Sequence, residues 1–342
     1  MYNGNSTIFQ WKAESTTDIE YGDTAGAMTE QIKISSESIK PVYNKIDEGL
    51  ATGGRGAGLK ATMGIGVEGN FSTLVRPDML KMFYGVLGQA EGGTERYAPY
   101  NYTFTCRDSN YSRQPFFSVG IKRGAFGFLY TGMKINSLTL SASAGDYLKA
   151  DVSLVGREEK ENWNPNPDLT PSPYKAYKFA QGKVYEVKTT TDSEGTETTE
   201  NVEIYDITSM SLEINNNMDY QTQTTSTGDY YAEPDVGTRE ISLSLEAIYS
   251  ENSENLRKNY YKTDNTLAVQ LKFVSDEAGN NGSKYSLSID LPCCQMSDAD
   301  ANVGGLETLK QNMTLNVVDN LKDELITITA GTPVERTATT FN

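Results

Sequence analysis

Residues 135–156, INSLTLSASAGDYLKADVSLVG, alternate apolar and polar side chains on both sides of a Ser-Ala-Gly-Asp turn. Leu138, Leu140, Ala142 and Ala144 share one face, and Ser137, Thr139, Ser141 and Ser143 share the other. Past the turn, Leu148, Ala150, Val152 and Leu154 alternate with Lys149, Asp151 and Ser153. A period of two sends successive side chains to opposite faces of a sheet, so this segment predicts an antiparallel strand pair buried on one face. The other face is small and polar but hardly charged, which raises the question of what it meets.

The same period recurs along the chain. QIKISSESIKPVY and GLKATMGIGVEGNFS predict strands on either side of a Gly-rich loop, NKIDEGLATGGRGAG. RPDMLKMFYGVLG predicts a short helix, with Pro77 near its start, Leu80, Phe83 and Leu87 at helical spacing, and Gly88 past its end. YNYTFTC, PFFSVGIKRG and the 135–156 pair follow as strands. A proline-rich stretch, REEKENWNPNPDLTPSPYK, then predicts a linker. Beyond it, KVYEVKTTTDSEGTETTENVEIYDI predicts a hairpin, exposed over about residues 184–202.

From there the order of elements repeats. ITSMSLEINNNMDY predicts a strand with Met210, Leu212 and Ile214 opposite Ser209, Ser211, Glu213 and Asn215. A long polar loop, QTQTTSTGDYYAEPDVGT, leads to REISLSLEAIY, whose apolar face is Ile241, Leu243, Leu245 and Ala247. SENLRKNYYK predicts a helix with Ser253 as N-cap and Leu256 and Tyr260 as an i, i+4 pair. LAVQLKFVS, KYSLSIDLP, LKQNMTLNVV and DELITITA close the half as strands. The match between halves is one of pattern rather than letters, and an internal duplication is favoured over chance. The expected organisation is an N-terminal arm (1–30), a first β domain (31–156), a linker (157–183), a second β domain (184–331) and a polar tail (332–342).

Composition narrows the function classes. The 342 residues carry a net charge of −16 with no dense Lys/Arg block, unlike the basic stripe of a nucleic-acid binder. Solubility explains such a charge by itself, although repulsion of DNA can also be useful. No His is present, which removes the commonest general base and metal ligand and disfavours an enzyme. Cys106, Cys293 and Cys294 make no disulfide framework, and the adjacent pair reads as small buried apolar residues at a strand end. With a start, MYNGNSTIFQW, that lacks a basic-then-apolar leader, the expectation is folding in a reducing cytoplasm. No apolar run approaches the ~20 residues of a membrane span.

The chain resembles the tail tube (major tail) proteins of long-tailed bacteriophages, in the branch with a doubled tube domain. The resemblance rests on VEGNFS before a short helix ending VLG, then YNYTFTC, YTGMKINSLTLSASAGDYLKADVSLVG, SMSLEINNN and SLSIDLP, in that order, over roughly residues 31–331. It implies a mainly β chain of two tandem β-sandwich or barrel domains, each with a short flanking helix. It also implies a structural virion protein whose inner sheets join into rings that stack as a tube. By the same resemblance the tube encloses a tape-measure protein, contacts terminator and tail-tip proteins, and conducts DNA during ejection. Assembly would take place in the host cytoplasm. Six tube domains form a ring in the single-domain branch, so three copies of a doubled chain are expected to suffice. The long loops, 44–58 and 220–237, would reach the neighbouring ring, with Asp47, Glu48, Arg55, Thr225, Asp229, Tyr230 and Tyr231 as candidates.

The resemblance gives the polar face a task. Each Lys or Arg facing a duplex releases counterions and adds affinity, so a conduit for DNA needs a wall without such anchors. Thr139, Ser141, Asp151, Ser209, Ser211, Glu213, Asn215, Ser242, Ser244 and Glu246 are the expected lumen-lining residues. A one-residue slip in register would invert each strand.

Other motifs carry less. GGRGAG (53–58) lacks the Lys-Ser/Thr ending of a phosphate loop. DEAGNNGSK and SDADANVGG lack the acidic spacing of a calcium loop, and Glu158-Glu159 reads as a solvated charge run. No catalytic residue, metal or cofactor is expected. A carbohydrate-binding or adhesin-like β module with Trp163, Tyr230-Tyr231 and Tyr260-Tyr261 as platforms stays open, as do a glycosidase and the tube of a contractile tail or bacteriocin.

Overall fold

A computed structural model describes residues 6–14, 28–47, 60–106, 114–191, 197–220, 231, 234–263, 265–301 and 308–335. In the first half the strands are β1 (Ile8–Ala13), β2 (Glu30–Ile32), β3 (Ile34–Glu37), β4 (Lys40–Asp47) and β5 (Lys60–Leu74), followed by helix α1 (Lys81–Leu87). Then come β6 (Gln89–Gly92), β7 (Tyr100–Thr105), β8 (Phe117–Arg123), β9 (Phe126–Ser143), β10 (Lys149–Gly156) and β11 (Glu158–Glu161). The second half holds β12 (Gly182–Thr191), β13 (Glu197–Ile204), β14 (Ile207–Asn215), β15 (Asp219–Tyr220), β16 (Pro234–Asp235) and β17 (Glu240–Ile248), then helix α2 (Glu251–Leu256). It ends with β18 (Thr266–Ala278), β19 (Lys284–Asp300), β20 (Lys310–Val317) and β21 (Thr327–Thr332).

The two halves repeat each other pairing for pairing. In the first, β2–β1–β8–β9–β11 forms an outer layer, and β9–β10–β5–β3 forms an inner one. In the second, β13–β12–β18–β19–β21 and β19–β20–β17–β14 do the same. Even the irregularities coincide. The bulge at Ser35 against β5 recurs at Thr208 against β17, and both hydroxyls donate to the opposite carbonyl, of Ser72 or Glu246, at 3.2 Å. β9 and β19 are long because each crosses from outer to inner layer. β9 turns at Gly132 (φ 64), a left-handed backbone that glycine adopts without strain. β19 crosses around Pro292, where pairing passes from β21, ending at Asp290, to β20, starting at Cys294, so the missing N–H falls between ladders.

The main core is one continuous cluster between the layers, as the alternation requires: Leu138, Leu140, Val152, Leu154, Leu212, Ile214, Leu243 and Leu245 are all buried. α1 lies against β9 with Met82, Phe83, Val86 and Leu87 buried, and Gly88 caps it through its N–H to Tyr84 O. Cys106, Cys293 and Cys294 are buried free thiols, and burial pushes Cys294 up to about 12.

Three sequence expectations are corrected. Residues 8–13, expected within an extended arm, are the strand β1: Phe9 and Trp11 are buried, with Trp11 stacked on Phe117 at 5.2 Å and edge-on to Phe71 at 5.8 Å. Residues 158–161, expected in the linker, pair with β9, and Trp163 packs with Met28 and Leu129. The α2 N-cap is Ser250 rather than Ser253, and the two serines form a reciprocal capping box. The 184–202 hairpin is present, but its base, Gly182–Val187, also pairs with β18, so only its outer part projects.

Candidate functional site: a polar face shared by both repeats

The inner sheets of the two repeats are hydrogen-bonded to each other. The free side of β9 pairs with β14, setting Ser143 opposite Ser209, Ser141 opposite Ser211, Thr139 opposite Glu213 and Ser137 opposite Asn215. The result is a single antiparallel sheet, β4–β5–β10–β9–β14–β17–β20–β19, that runs through both halves.

Side chains directly opposite one another share a face, so pairing across this sheet defines rows. One row runs Ser72, Asp151, Thr139, Glu213, Ser242, Asn316, Gln295. The next runs Lys149, Ser141, Ser211, Ser244, Thr314, Asp298, and a third runs Ser143, Ser209, Glu246, Asn312, Asp300. All ten expected lining residues, Thr139, Ser141, Asp151, Ser209, Ser211, Glu213, Asn215, Ser242, Ser244 and Glu246, lie on this one face. Their apolar neighbours in sequence face the core. Sequence reasoning missed the strip from β20 and β5. Asn312, Thr314 and Asn316 alternate with Met313 and Leu315 in LKQNMTLNVV, a signal that was present but not joined to the others.

The face is sparing with positive charge. Through the middle of the sheet Asp151, Glu213, Glu240 and Glu246 stand against Lys149 and Lys310, both of them engaged: Lys149 Nζ with Asp146 Oδ2 at 2.5 Å, Lys310 Nζ with Glu246 Oε1 at 2.7 Å. At its two edges the same face carries exposed Lys40 and Asp300. The Lys310 ammonium, aided by the Thr208 hydroxyl, holds the Glu246 carboxyl below the usual carboxylate range, and Lys149 does the same for Asp146. Ser72 donates to the Asp151 carboxylate across the strand pair. A concavity of about 460 Å³ opens on this face, lined by Ser141, Ser211, Ser244, Thr314, Tyr147 and Lys149 among others.

Of the loop candidates, Asp47 ends β4 and the Tyr231 N–H donates to Ile65 O at 3.0 Å, so the second long loop touches the β4–β5 ribbon of the first repeat. Glu48, Arg55, Thr225, Asp229 and Tyr230 lie outside the described residues, as does GGRGAG. Of the aromatic platform candidates, Trp163 is buried, Tyr260 is half-buried and donates to Glu186, Tyr261 is exposed, and Tyr230 lies outside the described residues. Among the described residues no group of three or more His, Cys, Asp or Glu could hold a metal ion, and no helix is long and apolar enough to cross a membrane.

A search of the curated proteins finds no match. A family model described as phage tail tube protein matches residues 4–317, which take in the joined sheet and all of both repeats except β21. The chain therefore belongs to the phage tail tube proteins, structural components of the bacteriophage tail.

Proposed function

We propose that the polar face of the joined sheet lines the bore of the tail tube, and that three copies of the chain, each contributing two tube-like repeats, close one ring. The observation that carries this reading is the β9–β14 junction, because it continues one polar face across both repeats without a break. Size favours three copies over six. With eight inner strands per chain, three copies bring roughly 24 strands, which at about 4.8 Å each close a backbone circle about 37 Å across before strand tilt widens it. Such a circle, less its side chains, admits a duplex and little else, whereas six copies would double it.

The chemistry suits passage rather than binding. Hydroxyl and amide side chains give phosphates no counterion-releasing anchor, and Lys149 and Lys310 are each paired with a carboxylate. Screening acts over ~8 Å, farther than the gap such a bore leaves around a duplex, so the acidic groups repel it from all sides and keep it centred. Before DNA enters, the same bore holds the tape-measure protein, and terminator and tail-tip proteins close the ends. The long loops carry the contact between stacked rings, a heterologous contact that extends without closing. Assembly takes place in the host cytoplasm, and the protein's role is structural rather than enzymatic.

Cysteine labelling tests the orientation. Ser211→Cys and Ser244→Cys in assembled tubes should react with a small maleimide but not with one fixed to a carrier wider than the bore. In dissociated chains both reagents should react. Equal reaction with the wide reagent in intact tubes would put this face outside and end the conduit reading.

A further inference from the structure

The internal junction leaves two edges of the joined sheet without a partner among the described residues. From Met296 to Asp300, β19 pairs with β20 alone, and β4 pairs with β5 alone. These edges are the repeat counterparts of the two strands that meet inside the chain, β9 and β14.

The register of each counterpart can be fixed residue by residue. Val75 N donates to Leu148 O as Tyr249 N donates to Leu309 O, each at 2.9 Å, which aligns Lys149 with Lys310. Thr139 opposite Asp151 then corresponds to Asp300 opposite Asn312, and the bulges that follow coincide. On the other strand, the shared bulge aligns Ile34 with Ile207, so Lys40 opposite Glu68 corresponds to Glu213 opposite Ser242. Inside the chain Thr139 faces Glu213. The same junction made between copies would set Asp300 opposite Lys40.

Resting on the tube reading above, we propose that Ser297–Asp300 of β19 in one copy pairs antiparallel with Lys40–Tyr43 of β4 in a second copy, with Asp300 directly opposite Lys40. Both side chains are exposed and lie on the polar face. Opposite charges on directly facing residues favour pairing, and like charges oppose it. The seam between copies thereby carries a charge match where the internal one has a hydroxyl facing a carboxylate.

Backbone bonding makes that match matter more. In the internal junction the bonds fall on even-numbered residues of β14, as Ala144 N to Thr208 O and Asn216 N to Asn136 O show. Their counterparts on the first repeat are Ile39, Pro41 and Tyr43. Ile39 is already occupied in the single copy: its N–H donates to Glu37 Oε2 at 3.1 Å, and its carbonyl accepts from Arg123 Nη2 at 2.7 Å. Pro41 has no N–H, a known deterrent to indiscriminate edge pairing. The seam therefore keeps Ala299 N–H to Pro41 O and Tyr43 N–H to Ser297 O, fewer bonds than the internal copy. Partner choice then leans on Lys40 and Asp300.

The test combines charge exchange with cross-linking on the full chain. Lys40→Glu or Asp300→Lys alone should raise the protein concentration needed for assembly roughly tenfold, and the double exchange should restore it. Independently, Lys40→Cys with Asp300→Cys should give oxidant-dependent oligomers in assembled material, faster than the out-of-register pair Val42→Cys with Asp300→Cys. Rings that form normally in both single charge variants, or that cross-link faster out of register, would overturn the seam while leaving the tube reading intact. Wild-type chains that fail to self-associate at any concentration would overturn both.

Discussion

Lys81 shows how far a single residue can depart from its sequence context. In MLKMFYGVL the helical spacing of Leu80, Phe83 and Leu87 marks a buried side, yet α1 is enclosed nearly all round and takes Lys81 inside with it, 1 % exposed. Its ammonium donates to Thr29 Oγ1 and lies 3.9 Å from Glu30. Burial first, and the charge of Lys12 second, push it down to about 7 from 10.5. Between those values the folded chain binds fewer protons than the unfolded one, so stability rises with pH, by at most ~1.4 kcal/mol per unit. The dissociated wild-type chain should therefore have a higher urea midpoint at pH 9.5 than at pH 7. Lys81→Met should flatten the difference, and parallel profiles for the two proteins would rule the linkage out. The buried Cys294 thiol, raised by desolvation, acts in the opposite direction from about pH 9, and buried Tyr130 and Tyr177 do so above about pH 10, so the Lys81 rise dominates over most of this window.

At the scale of elements, what the sequence disclosed follows from contrast between faces. Leu138–Leu140, Met210–Leu212–Ile214 and Leu243–Leu245 alternate with Ser, Thr and Glu, and their strands and faces could be read directly. β1 was not legible because its polar member is hidden too: Gln10 is buried, its amide donating to Asn166 O at 2.9 Å, so Phe9 and Trp11 show no wet face to alternate with. β11, EEKE, reads as a charge run because it is a half-exposed strand with no apolar side chain. The start of α2 was misplaced by three residues because both serines take part in the capping box, and only the extended backbone of Ser250 (φ −146) identifies the cap. Ser250→Ala should cost about 1 kcal/mol in thermal or urea unfolding and Ser250→Gly only a few tenths. Equal losses would point to side-chain packing instead of capping.

At the scale of the whole molecule, the property that no local pattern could disclose is the β9–β14 junction, because it joins strands whose pairing depends on edges far apart in the chain. Sequence reasoning placed the ten polar residues on two separate domains and took their strands as matching, whereas β9 and β10 correspond to β19 and β20, and β14 and β17 to β3/β4 and β5. The structure joins β9 to β14 and turns two polar faces into one. It also sets β7, whose other partner is β6, against β21, so a strand pair from the first half of the chain extends a layer of the second repeat. A chain built this way presents one continuous wet face across both halves, and the proposed ring needs only its repetition about an axis.

The most direct measurement is a reconstruction of the assembled tube by electron microscopy, at a resolution that separates strands. It should show three chains per ring, with Ser141, Ser211, Ser244 and Thr314 pointing into the central channel. Six chains per ring would contradict the closure argument, and those side chains pointing away from the channel would contradict the account as a whole.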